Sequence, residues 1–176
     1  MGYFTIGTIE ISLDSKSLSR AIMSVRHLKQ QLSDAMQELI EKLTDQGVSI
    51  AKMQVASLDA VDTGELENSI FGYYDAEMRI GFIVAGALHA FYVEYGTGPM
   101  GMDNPHPQAA EAGWHYMVGE TIHENLEHPD WGVGWYYPGD DGQKHWTQGQ
   151  PSRPFMLNTL TWLEEAAEHF GVPLHV

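Results

Sequence analysis

Residues 14–43 read DSKSLSRAIMSVRHLKQQLSDAMQELIEKL. Apolar side chains fall at Leu18, Ile22, Val25, Leu32, Met36, Leu39 and Leu43. Gaps of three, four and seven lay them along one side of a helix, with heptad character. Asp14 or Ser15 is placed to cap it by accepting a backbone N–H. Beyond Gly47 the spacing resumes with Ile50 or Ala51, Val55 and Leu58. This predicts one helix over 15–58, with Gly47 as the place for a kink. Unbroken, it spans about 65 Å, too long for the core of so small a domain, so it is expected to lean on a second chain. Two helices packed as a hairpin are the alternative, because glycine is a common helix stop.

On either side of this helix the pattern changes. Residues 3–13 alternate loosely through Phe4, Ile6, Ile9, Ile11 and Leu13, as a short strand or arm does, with a slip after Gly7. After the helix, Asp62 or Thr63 caps a single turn, with Glu65 placed to complete a capping box. Ser69–Tyr74 and Glu77–Ala85 read as two strands about a turn at Asp75-Ala76. Ile80, Phe82 and Val84 mark one face, and Gly81 and Gly86 mark close approach or a bend. Residues 91–98, FYVEYGTG, continue as a further strand or a short turn. There Glu94 is either an acid held in an aromatic pocket or an exposed strand residue.

From 99 to 150 periodicity fades among Pro, Gly, His and Trp. The exceptions are EAGWHYMVGETIHENL, read as a short helix, and a hairpin pairing Trp135–Tyr137 with His145–Thr147 across Asp140-Asp141-Gly142. A last helix over 153–170 starts near Pro154, carries Phe155, Leu160, Leu163, Ala167 and Phe170 as its stripe, and ends at Gly171. The class is α+β: a long N-terminal helix, a small antiparallel sheet and a C-terminal helix, with an extended loop and hairpin insertion. We take 1–176 as one domain, with the helix at 15–58, a sheet core at 69–98, the insertion and hairpin at 99–150 and the C-terminal helix at 153–170.

Composition narrows the function. The 176 residues contain no cysteine, which removes disulfides, thiolate metal sites and cysteine nucleophiles and fits a protein made in a reducing cytoplasm. Residues 1–12 lack the charged and apolar regions of a signal peptide. No apolar run has the length of a membrane span, so no membrane partner is expected. Net charge is −15, and from Gly81 onward only Lys144 and Arg153 are basic, against a dozen acids. Such a surface repels phosphate backbones, so specific nucleic-acid binding is not expected.

His115, His123 and His128 lie near Glu120, Glu124 and Glu127, but His123 and His128 are five residues apart, not the four that put two ligands on one helix face. No nucleophile elbow, phosphate-binding loop or dinucleotide fingerprint occurs, and no cofactor is expected. Trp114, Trp131, Trp135 and Trp146 can line a sugar-binding cleft or fill interfaces. A soluble carbohydrate-active or metal-dependent enzyme built on residues 99–150 is therefore the alternative function.

Three motifs now stand in order behind the long helix: Asp62-Thr63-Gly64-Glu65-Leu66-Glu67-Asn68-Ser69-Ile70, then His89-Ala90-Phe91-Tyr92-Val93-Glu94-Tyr95-Gly96-Thr97-Gly98, then Pro151-Ser152-Arg153-Pro154-Phe155-Met156. The set resembles the small neck or tail-completion proteins that join head to tail in long-tailed bacteriophages. Glu67 departs from the family pattern, which often has a basic residue there, and residues 99–134 have no clear counterpart.

The resemblance implies a non-enzymatic virion protein made in the host cytoplasm. It implies a homo-oligomeric ring, a hexamer or a dodecamer, around the DNA channel. Its neighbours are a head-side connector or head-completion protein and a tail terminator or tail tube protein. The motif residues Asp62, Thr63, Gly64, Leu66, Ser69, Tyr92, Glu94, Gly96, Thr97, Gly98, Arg153, Pro154 and Phe155 then serve structure and assembly. Glu94 becomes a structural acid that accepts backbone amides or pairs with Arg153. Asp75, Glu77, Asp140 and Asp141 are candidate acids facing the channel.

Overall fold

A computed structural model describes residues 15–60, 64–117, 122–139 and 141–169. The expected strand over 3–13, the caps at Asp14, Asp62 and Thr63, Glu120, Asp140 and the helix end at Phe170-Gly171 lie outside them.

The fold is α+β. Helix α1 runs unbroken over Ser15–Ser57, so Gly47 is neither a stop nor the hinge of a hairpin. It sits where the helix meets its neighbours: a Cβ added there would collide with the Ile83 side chain and come within 3.0 Å of Leu163. A one-turn helix α2 (Glu65–Asn68) leads into β1 (Ile70–Asp75), which pairs antiparallel with β2 (Ile80–Ala85), Ile70 opposite Ala85 and Asp75 opposite Ile80. Asp75 holds the connecting turn, its Oδ1 accepting the N–H groups of Glu77 at 2.9 Å and Met78 at 2.8 Å.

The sheet turns its small face to α1. A Cβ added at Gly72 or Gly81 would strike Thr44 of the helix, and Ile83, on the same side, reaches Gly47. Phe82 lies on the other face, stacked on Tyr73 at 5.0 Å, and Ile80 there is exposed. Ile80, Phe82 and Val84 do share one face, and it is the face turned away from α1. A helix crossing a two-stranded sheet at close range needs small residues beneath it, and the glycines supply them.

Residues 90–95 form a third helix, α3 (Ala90–Tyr95), in place of the further strand or short turn expected there. Ala90 and Val93, three apart, are both buried, and the Gly96 N–H closes the turn on the Tyr92 carbonyl at 3.0 Å. Helix α4 (Gly98–Asp103) follows. Residues 111–117 are turn and loop instead of the expected helix.

The insertion then folds as a small sheet, β3 (His123–Glu124), β4 (Val133–Pro138) and β5 (Lys144–Thr147), in that order. Its hairpin pairs Trp135 with Thr147, Tyr136 with Trp146 and Tyr137 with His145, as expected. Helix α5 (Phe155–His169) packs back along α1. Ala51, Val55, Leu66, Ile70, Ala90, Val93 and Phe155 make the core between them. Among the described residues no helix is long and apolar enough to cross a membrane.

Candidate functional site

Two of the motifs, more than fifty residues apart in the chain, meet in one clasp. Its centre is Glu94, 7% exposed near the end of α3. Its Oε2 accepts the Met156 N–H at 2.9 Å and its Oε1 the Leu157 N–H at 3.0 Å. Those two amides belong to the first turn of α5 and have no partner within the helix, so a carboxylate from elsewhere in the chain caps it. His106 adds a third donor. Its Nδ1 accepts the Gln108 N–H at 3.0 Å, which assigns the proton to Nε2, 3.2 Å from Glu94 Oε1. Glu94 is therefore neither an exposed strand residue nor the partner of Arg153. It faces inward, saturated by one imidazole and two backbone amides.

The chain on both sides is tied just as closely. Thr97 and Gln150 exchange backbone bonds of 2.9 and 3.1 Å, and the Gln150 side chain donates to the Tyr92 carbonyl at 2.9 Å. Ser152 Oγ donates to the Glu94 carbonyl at 2.7 Å, and the Arg153 N–H to Val93 at 2.9 Å. Gly96 makes this approach feasible: at φ 79° an added Cβ would lie 2.6 Å from the Ser152 nitrogen. Gly98 donates its N–H to the Tyr116 carbonyl at 2.7 Å.

Arg153 Nε donates to the Leu58 carbonyl at 3.0 Å and Nη1 to Gln150 Oε1 at 3.2 Å, so the guanidinium ties the end of α1 to the clasp. Pro154 precedes the helix and its carbonyl accepts the Asn158 N–H at 2.9 Å, while Phe155 is buried. Gly64 (φ 79°), Leu66, Val93, Gln150 and Arg153 line one cavity of about 430 Å³, so the described part of the first motif joins the other two. Ser69 closes α2 through its Oγ, which donates to the Leu66 carbonyl at 2.7 Å.

His106 escaped sequence reasoning. Nothing in Asn104-Pro105-His106-Pro107 separates it from the other eight histidines, and its role exists only once residue 94 is beside it. The insertion is part of the clasp in the same way. Trp114 stacks on Tyr95 at 5.0 Å and donates Nε1–H to the Gly96 carbonyl at 3.1 Å, and the Tyr116 hydroxyl accepts the His106 N–H at 3.1 Å.

Further out, the aromatic rings pack on one another: Tyr136 against Trp146 at 4.9 Å and His128 against Trp131 at 4.1 Å. Among the described residues no three His, Asp or Glu side chains are grouped to hold a metal. Asp141 holds its own hairpin, bonded to His145 Nε2 at 3.0 Å and the Gln143 N–H at 2.9 Å. Those bonds, His145's first, lower its pKa. Compared with known protein families, curated proteins and solved structures, the chain matches none.

Proposed function

We propose that the protein is a non-enzymatic structural subunit of the head–tail joint of a long-tailed phage. It assembles as a homo-oligomeric ring around the DNA channel, between a head-side connector or completion protein and the tail terminator or tube. The observation that carries this reading is an exposed apolar stripe on the N-terminal half of α1. Leu18, Ile22, Val25, Leu32 and Met36 are each 45–64% exposed on a helix that extends beyond its own core. Burying such a side chain stabilises by about 1.5–3 kcal/mol, and a face of this kind marks contact with another protein. The clasp supports the reading in a second way: the motif residues are spent on holding the subunit rigid. A rigid subunit suits a ring that must keep its bore open.

The overall charge agrees, since an acidic ring repels the DNA that slides through it. Mass spectrometry of purified virions tests the proposal: a small fixed copy number per particle, six or twelve, is expected, and absence from virions overturns it. Duplex DNA binding at physiological salt tests the acidic channel. No binding is expected, whereas submicromolar, salt-sensitive affinity rules the acidic channel out.

A further inference from the structure

The acidic chain has one basic stretch, and it coincides with the part of α1 on which Leu18, Ile22 and Val25 stand exposed. Residues 15–33 carry Lys16, Arg20, Arg26 and Lys29 and no acid. Residues 34–176 carry Lys42, Lys52, Arg79, Lys144 and Arg153 against 22 acids, a net of −17. On the body, β2, α3 and α5 enclose an open groove of about 640 Å³, lined by Ile83, Phe91, Met156, Leu160 and Leu163 among others. Phe91 stands 66% exposed at its edge. Glu164 and Glu168 continue the Leu157–Leu160 face of α5 by one and two turns, which adds negative charge beside an apolar floor.

We infer that the basic half of α1 seats its Leu18-Ile22-Val25 stripe in this groove on a second copy of the chain. The helix cannot fill its own groove. Gly47 lies against Leu163, and an unbroken helix carries Ile22 about 37 Å from Gly47. Pairing of two such arms in parallel is disfavoured, because the heptad that places Ile22 and Met36 in the seam also places Lys29 there, opposite its own copy. Arm and groove are different surfaces of one subunit, so the contact is head-to-tail. Repeated, it makes a ring or a filament. Closure into a ring rests on the function proposed above, but the contact itself does not.

The chain has no cysteine, so single-cysteine variants report contacts cleanly. I22C mixed with L160C, or with F91C at the exposed edge, is expected to give a disulfide-linked dimer under oxidising conditions at high protein concentration. I22C alone is expected to give at least about tenfold less. Equal dimer from I22C alone means that arms pair with arms and overturns the proposal, as does a mixture without cross-links. Reversing Arg26 and Lys29 to Glu should weaken association about tenfold, the size expected when interfacial charge pairs become repulsive. Partners carrying E164K and E168K should restore it, and failure to restore overturns the charge pairing. Cross-linking in a protein absent from virions would leave the contact standing and sink the head–tail reading. The converse result would do the opposite.

Discussion

The two halves of α1 are one helix with opposite fates. Towards its C-terminus Ala51 and Val55 are fully buried, packed with α2, the sheet and α5. Towards its N-terminus Leu32 and Met36 stand 64% and 54% exposed. Both halves show the same apolar spacing, so periodicity does not separate them. The difference is what faces them. Gly72, Gly81 and the clasped start of α5 bring a surface up to residues 44–55, while Ile22, Val25, Leu32 and Met36 stay 45–64% exposed. Apolar periodicity therefore identifies a face that needs a partner, and only the tertiary structure tells whether the chain supplies it.

Substitutions should separate the halves by what they damage. The largest effect is expected at the centre of the clasp. Glu94→Ala strands two helix-terminal amides and a buried imidazole and should cost about 3–5 kcal/mol of stability in urea unfolding. Glu94→Gln keeps one acceptor oxygen and should cost about 1–3 kcal/mol. A loss below about 1 kcal/mol for the alanine variant would mean that the clasp does not hold the body.

Gly96→Ala comes next, at about 1–3 kcal/mol, because alanine is strained at φ 79° and its methyl meets the Ser152 backbone. Arg153→Ala should cost about 1–2 kcal/mol by leaving the Leu58 carbonyl and Gln150 Oε1 without their donor. No acid is left unpaired by that change, so its effect should fall on stability, read by the same unfolding curves.

On the exposed stripe of the N-terminal half the contrast should invert. Leu32→Ser with Met36→Ser should shift the stability of the isolated subunit by no more than about 0.5 kcal/mol, while joined particles fall sharply in an infection complementation assay. Normal joining with this variant would remove the assembly role of that face.

The smallest effect concerns the outer hairpin. Bonds to His145 and Gln143 depress the Asp141 pKa, so its contribution is present above the ordinary carboxylate range and is lost as pH falls through the lowered value. Asp141 is exposed, and the loss should appear only as a local change in the Trp146 indole N–H signal across acidic pH. Asp141→Asn should abolish that titration. A titration that persists in the asparagine variant would assign it to another group.

Long-period features were legible from residue spacing because local geometry fixes them. The seven-residue stripe specified α1, the Trp135–Thr147 alternation specified the β4–β5 hairpin, and Pro154 with the Phe155–Leu163 spacing specified α5. Residues 90–95 were not legible as a helix. Six residues make barely more than one turn, and aromatic, β-branched composition favours a strand until Gly96 and the packing of Ala90 and Val93 decide otherwise.

The candidate site was legible as three short motifs, but not as a site. Sequence by itself determined the long helix, the class of fold, the acidic surface with its basic arm, and the places where glycine and proline interrupt the chain. Tertiary structure alone decided that Glu94 serves the amides of α5 and not Arg153, that His106 joins it, and that Leu18, Ile22, Val25, Leu32 and Met36 stand exposed on α1. The reason is physical. Helix periodicity, charge and turn chemistry act over a few residues, whereas two of the three donors that satisfy the buried Glu94 carboxylate come from a segment more than sixty positions away.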